Sequence, residues 1–439
     1  MKLWSKPTFF SIFILPIHLI ASSPLKVEVS AKAAILMNAE TGAVLWEKNA
    51  SSQVFPASTT KVFTALYAIE KMGHALDEMV EASHNAVCSV PVHVRRAIHG
   101  GHPPYRLEFG GTHMGLKVGE MLPLRALFYG LMLCSGNDAA NVIAESASGN
   151  IPQFMEELNH FVRAKGCKNT LLRNPHGLYH AEHRTTAYDL AIFSREFLKN
   201  SFLREVVKAT RYVRPQTNKQ SESVIPQYNA LLKPGKFYYP KAMGIKTGYI
   251  AAAGFTLVSA AEDENRKLIA VILGCEKIEQ RYSDAIALFE AGFNEKKVSR
   301  TLFSKGYDLF SCPIEGGKTP LQAHFTDNVI LEYYPSEEPA FKTAVQWHPL
   351  TLPIHPGALV AHMQITTQEG RIMKSAPLYA VKAVEGTMLY QANTAWKRVK
   401  RGLNNNLTLM MASIGLLILG ASYYYTHRPR KRSKFHKVK

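Results

Sequence analysis

The sequence predicts an α+β fold, and three observations predict it. Two apolar hairpin patterns, at residues 32–49 and 254–274, bracket a run of amphipathic helical patterns. Short β-like runs broken by Gly and Pro take over beyond Lys297. Near the end, Leu407–Tyr425 holds 19 residues without a charge. With 439 residues, 46% hydrophobic and 20% charged, the chain carries enough apolar material for at least two packed domains.

The elements follow in order. Residues 1–23, "MKLWSKPTFFSIFILPIHLIASS", place Lys2 and Lys6 before a short apolar run and then small residues, the form of a secretory signal peptide. "KAAILMNAETGAVLWEKN" reads as two strands joined by a Glu-Thr-Gly turn. A helix is predicted from Ser58 to Met72, just after Pro56. Residues 84–113, rich in Gly, Pro and His, read as a long loop or insertion. Helices are predicted at 122–133 and 139–147, on either side of the polar break "CSGND", and then at 151–165 and 186–199. "GFTLVSAAE" and "RKLIAVILG" form the second hairpin, and "YSDAIALFEAGF" a helix that closes the region.

These patterns divide the chain into a main domain at 24–296, a β-rich domain at 297–386, a polar and then basic linker at 387–406, a membrane span at 407–425 and a basic tail at 426–439. A 19-residue helix rises roughly 28 Å, about one hydrocarbon core. The seven Lys and Arg of the tail orient it toward the cytoplasm. Signal and span together predict a single-pass protein of the cytoplasmic (inner) membrane with its body on the outer, periplasmic face. From Lys397 onward there are eleven basic and no acidic residues, which leaves +7 of the net +18 for the rest. The excess charge is thus a property of the tail and juxtamembrane segment, and nucleic-acid binding is not needed to explain it. The cluster "WKRVKR" at 396–401 suits contact with anionic lipid. Five scattered cysteines show no CxxC or Cys/His zinc spacing, and the histidines of 84–113 fit no common ligand set, so neither metal nor cofactor is expected.

Chemistry centres on three polar segments. Ser58 and Lys61, three apart at a helix start, share one face. The positive end of the helix dipole, together with burial, favours a neutral amine able to take the serine proton. Taken alone, Ser-x-x-Lys is far more commonly an N-cap serine with a solvated lysine. "LCSGNDAAN" then supplies Ser135 and Asn137 at a break between helices, and "GIKTGYI" supplies Lys246, Thr247 and Gly248 on a strand. Ser-x-x-Lys, Ser-x-Asn and Lys-Thr-Gly in that order make the triple motif of penicillin-binding proteins and serine β-lactamases.

From about Ala31 to Phe293 the chain resembles the low-molecular-mass penicillin-binding proteins that are D-alanyl-D-alanine carboxypeptidases. "ILMNAETGAVLWEKNASSQVFPASTTKVFTA" is similar to that family's opening hairpin and nucleophile helix, and "KNTLLRNPHGLYHAEHRTTAYDLA" to the stretch after its helical subdomain. The resemblance implies a serine β-lactamase/DD-peptidase-like domain, an antiparallel sheet flanked by helices plus a helical subdomain. It implies Ser58 as the acylated nucleophile, Lys61 as its base and Ser135 as the proton relay. Asn137 would hold the substrate amide, Lys246 and Thr247 the terminal carboxylate, and Gly248 would let the peptide lie against the strand. The N–H groups of Ser58 and Tyr249 would form the oxyanion hole, with Tyr249 standing where the family often has histidine. Arg281 falls near a basic residue that assists carboxylate recognition. The implied substrates are peptidoglycan stem peptides ending in D-Ala-D-Ala, and β-lactams are implied inhibitors.

Two other readings compete. A class A β-lactamase needs a deacylating glutamate, and "FMEELN" at 154–159 imitates its pattern. Glu156 and Glu157 lie in an amphipathic helical run and read as solvated helix residues. A non-catalytic, membrane-tethered binder of cell-wall peptide would keep its function without Ser58.

Overall fold

The structure is a computed structural model that describes residues 25–96, 102–307, 309–368 and 370–427. The signal-peptide expectation at 1–23 and the basic tail from 428 lie outside these residues. The described residues divide into two compact units. One holds those from 25 to 298 together with Tyr333–Glu338, and the other those from 299 to 332 and from 339 to 427.

The first unit is built on a five-stranded antiparallel sheet. β1 (Ala33–Asn38) and β2 (Val44–Lys48) form the first hairpin. β3 (Ala242–Ile250), β4 (Gly254–Glu262) and β5 (Lys267–Cys275) complete the sheet in the order β2–β1–β5–β4–β3. Sequence-distant strands therefore meet at its centre, where Ala33–Asn38 pairs with Leu268–Leu273. β1 is buried on both faces, which is why it reads as the unbroken apolar run "AAILM". Ala33, Ile35 and Met37 face one core, and Ala34 and Leu36 face another.

On the first face lie α1 (Thr60–Met72) and α5 (Ala187–Lys199), with Phe63 and Phe193 in contact at 4.5 Å between ring centroids. Between them in sequence come α2 (Leu124–Met132), α3 (Asn137–Ser148) and α4 (Ile151–Ala164), the helical subdomain. α4 is opened by an Asn150 cap on the Gln153 amide. The second face is covered by α7 (Gln280–Phe293), whose Leu288 and Phe289 are fully buried. A buried phenylalanine contributes about 1.5–3 kcal/mol, so these contacts fix which side of the sheet each helix takes.

Several expectations change. α6 (Ser201–Lys208) and the hairpin Arg211–Arg214/Ser223–Pro226 are additional elements. The 84–113 segment is not plain loop. It folds short helices at His84–Val87 and Val92–Arg96, and a parallel pair of two-residue strands, Ser89–Val90 and Leu107–Glu108. Buried Arg95 ties it together, donating to Arg106 O, Pro104 O, Tyr179 O and Glu108. The domain boundary is also not a single cut. Tyr333–Glu338 groups with the first unit, where Arg266 meets Glu295 and Glu337.

The second unit carries a five-stranded antiparallel sheet from strands within 309–380, then one helix, α8 (Met388–His427). The 387–406 stretch expected as linker is thus mostly helix. Among the described residues no helix is long and apolar enough to cross a membrane. The side chains at 407 and 425, the two ends of the uncharged run, lie outside those described.

Candidate active site

Ser58 is presented by a strained turn. Ala57 has φ 51°, in the left-handed region that favours glycine, and is fully buried. The turn Ala57–Thr59 then runs straight into α1. Its shape is held from outside by the segment Asn174–Leu178. Asn174 donates to Leu178 O and accepts from the Gly177 amide, closing a tight turn. Thr64 donates to Pro175 O at 2.7 Å, and Thr60 Oγ1 lies 2.8 Å from Ala57 O and 2.9 Å from His183 Nε2. Ser58 is left partly exposed, on the wall of a cleft.

Lys61 is fully buried one turn further on. Its Nζ stands 2.9 Å from Ser58 Oγ, 2.7 Å from Asn137 Oδ1 and 2.8 Å from the His176 carbonyl. Burial holds the amine well below the ordinary lysine range, and the charge of Lys246 lowers it further. A neutral amine has two N–H groups and one lone pair. Asn137 Oδ1 and His176 O can only accept, so they take both N–H groups. The lone pair is then left facing the Ser58 hydroxyl, which donates to it. This is the geometry of a general base.

The other two motif segments converge on this pair. Ser135 has φ 63° and sits in the break between α2 and α3. Thr112 Oγ1 donates to Ser135 O, and the Asn137 amide donates to Thr112 O. Asp138 anchors the same loop by accepting from the amides of Met114, Gly115 and Leu116. Of the two motif residues, Asn137 is the one bonded to Lys61, while Ser135 lines the cleft beside it.

On β3, Lys246 is buried and donates to Thr247 O. Burial pushes its amine down to about 7; Cys134 opposes the shift and Arg281 adds to it. Gly248 lies against the start of the nucleophile helix, because a Cβ there would stand 2.9 Å from Ser58 N and 2.4 Å from Thr256 Oγ1. Any side chain would therefore push the strand off Ser58. Arg281, buried on α7, donates to Gly248 O at 3.1 Å and to the Tyr282 hydroxyl at 2.9 Å. Tyr249 is exposed and stacks on Phe255 at 4.4 Å.

Ser58, Ser135, Asn137, Thr247, Gly248 and Arg281 all border one cleft of about 780 Å³. Every residue singled out from the sequence falls in or directly behind it. The sequence reading missed the His176 carbonyl and Gly177. Their signal is the Asn-Pro-His-Gly turn inside "RNPHGLYH". Glu157 is a correction. It is not simply solvated, because it accepts from Tyr67, Lys71 and Ser148, each at 2.6 Å. Tyr67 and Lys71 sit beyond the second turn of α1 and Ser148 at the end of α3, away from Ser58.

A family profile described as D-alanyl-D-alanine carboxypeptidase matches residues 19–277, more than half of the chain. The chain belongs to the D-alanyl-D-alanine carboxypeptidase family. It is accordingly a serine-type peptidase hydrolase whose work is in cell-wall synthesis. Among its relatives, D-alanyl-D-alanine carboxypeptidase DacF of Bacillus subtilis is 29% identical over 289 residues, 66% of this chain and 68% of that protein. DacD of Escherichia coli is 30% identical over 275 residues, 62% of this chain and 65% of that protein. The alignments thus span about two thirds of the relatives' own length. Among solved structures, the Streptomyces K15 DD-transpeptidase matches with a TM-score of 0.53 at 28% identity, covering 61% of this chain and 98% of that one. Penicillin binding protein 6B of Escherichia coli matches with a TM-score of 0.56 at 23% identity, covering 81% and 96%, and supports the fold alone.

Proposed function

We propose that this carboxypeptidase acts through Ser58 on peptidoglycan stem peptides ending in D-Ala-D-Ala. Lys61 takes the Ser58 proton as Oγ attacks the penultimate carbonyl carbon. The N–H groups of Ser58 and Tyr249 receive the developing oxyanion. The peptide C–N bond breaks, and the proton passes by way of Ser135 to the departing amine of D-Ala. Water then cleaves the acyl-serine and returns Ser58 to its hydroxyl form. Lys246 and Thr247 bind the terminal carboxylate, with Arg281 beside them, Asn137 orients the substrate amide, and Gly248 leaves room for the peptide along β3. β-Lactams acylate Ser58 by the same route, as mimics of the dipeptide.

The observation that carries this reading is the buried Lys61 amine, with both N–H groups committed to acceptors and its remaining face on Ser58. Ser58→Ala is expected to abolish both D-Ala release and covalent penicillin labelling. Retention of either overturns the mechanism, and retention of D-Ala release would favour another nucleophile.

Attachment to the outer face of the inner membrane is part of the same reading. Leu409, Met410, Met411, Leu416, Leu417 and Leu419 on α8 are all exposed to solvent. The uncharged run 407–425 of the sequence, counted with its two ends and followed by a basic segment, suits a span. Carbonate extraction of membranes tests it: the intact chain stays in the pellet, and a chain ending before residue 407 does not.

A further inference from the structure

Two adjacent arginines on one short helix have different fates. Arg95 is all but fully buried, with a side-chain exposure of 4%, and its donors are spent on Arg106 O, Pro104 O, Tyr179 O and Glu108. Arg96 is 43% exposed at its side chain and borders the active-site cleft. It meets Glu108 through Nε, at 3.4 Å, and among the described residues its terminal amino groups have no acceptor. Its guanidinium carbon lies 5.5 Å from the centre of the Tyr179 ring, within range of a cation–π contact that helps to hold the group in place.

The wall carrying Arg96 grows out of the Asn137 side of the cleft. Asn137 N donates to Thr112 O, a Cβ on Gly111 would stand 3.1 Å from Asn137 Nδ2, and Gly111 N turns back onto Glu108 O. Thr247 borders the same cleft from β3, with Lys246 buried beside it on that strand. A peptide whose terminal carboxylate sits at Lys246 and Thr247, and whose amide sits at Asn137, therefore extends its upstream residues along the wall that leads to Arg96. The other cations bordering the cleft are Lys233 and Arg281, and its acids are Glu108 and Glu279. Glu108 is already shared by two arginines. The unspent charge on this wall is positive.

We propose that Arg96 is a specificity-determining residue that binds a carboxylate on the acyl-donor peptide, upstream of the D-Ala-D-Ala bond. The inference rests on the functional reading above. A guanidinium fork and a carboxylate match in geometry, and one such contact near a solvent-open rim is worth about a tenfold preference.

Synthetic peptides ending in D-Ala-D-Ala, each with one carboxylate one, two or three residues upstream, are compared with their side-chain amides. For at least one placement the intact enzyme is expected to show about a tenfold higher kcat/KM for the acid, carried by KM. That preference collapses toward one in Arg96→Ala, and Arg96→Lys restores only part of it, since lysine keeps the charge without the fork. If Arg96 serves only to hold Glu108, Arg96→Ala slows acid and amide peptides alike and the ratio stays, which overturns the proposal. The absence of any acid preference in the intact enzyme overturns it too. Covalent penicillin labelling of the intact enzyme separates the two levels. Labelling without acid preference sinks the Arg96 assignment alone, whereas no labelling sinks the functional reading beneath it.

Discussion

Gly177 faces the carbonyl of Ala57 so closely that a Cβ on it would stand 1.8 Å from that oxygen. Gly177 also has φ 90°. Ala57 opens the turn that carries Ser58, so the shape of the turn depends on an atom that is missing from a neighbouring loop. Gly177→Ala is expected to cost about 2–4 kcal/mol, by strain and by displacing backbone. Penicillin labelling of Ser58 should suffer more than the thermal midpoint does. Asparagine tolerates the left-handed region better than alanine does, yet it carries the same Cβ. Gly177→Asn should therefore fail equally, and rescue by asparagine would show that φ matters and the contact does not.

The two buried lysines make opposite demands on pH. Lys61 lies well below the ordinary lysine range because it is buried and because the charge of Lys246 stands near it, and a base needs its amine neutral. Lys246 lies at about 7, so it is charged below that pH and loses its proton above it. A terminal carboxylate needs the charged form. The kcat/KM for a D-Ala-D-Ala peptide should therefore fall as pH rises through about 7, by up to tenfold per unit. In kcat the same limb moves upward, because the bound carboxylate favours the protonated amine. Lys246→Arg, whose guanidinium stays charged, should lose the limb. A flat kcat/KM from pH 6 to 9 in the unmodified enzyme would sink the assignment.

What the sequence disclosed, and what it hid, follows from where the chemistry resides. Side-chain identity at punctuated positions was legible. Ser58 and Lys61 follow a proline, Ser135 and Asn137 interrupt a helical pattern, and Lys246, Thr247 and Gly248 open an apolar hairpin. The sheet was legible because β1 and β5 are apolar on both faces. The contribution of His176 was not, because the backbone supplies it and any residue has a carbonyl. Glu157 was misread because helical periodicity places it at a face boundary, and only tertiary contact shows that Tyr67, Lys71 and Ser148 converge on it. The 84–113 segment was read as loop because its elements are two to five residues long, below the length at which a period can be counted. Tyr333–Glu338 left the β-rich unit for a reason equally invisible in one dimension, the ion cluster around Arg266.

Arg281 touches the site in two ways that experiment can separate. Its bond to Gly248 O ties α7 to β3, and its position on the cleft wall would bring its charge to a terminal carboxylate bound as proposed above. Arg281→Ala is expected to raise KM for an acid-terminated peptide about tenfold. A substrate whose terminal carboxylate is replaced by an ester tells which function dominates. If only the strand bond matters, acid and ester lose equally. If the charge contributes, the acid loses more.

Glu157 offers a test of stability that leaves the chemistry alone. Its bonds from Lys71, Ser148 and Tyr67 pull its carboxyl down to about 2, against a smaller opposing effect of burial. The bonds join α1, α3 and α4 at the end of α1 remote from Ser58. A carboxylate with a depressed pKa stabilises the fold fully above its ordinary value of 4.5, and that stabilisation disappears as pH falls toward 2. Glu157→Gln should therefore lower the thermal midpoint at pH 7 by about 2–4 °C, and the gap should narrow as pH falls below 4.5. Penicillin acylation and release should keep their rates, since nothing in the cluster touches the cleft. A long-lived acyl-enzyme appearing only in Glu157→Gln would mean that this carboxylate activates the deacylating water, as the β-lactamase reading requires. Its four hydrogen bonds, from Tyr67, Lys71, Ser148 and Gln153, are made away from Ser58, which is why that outcome is not expected.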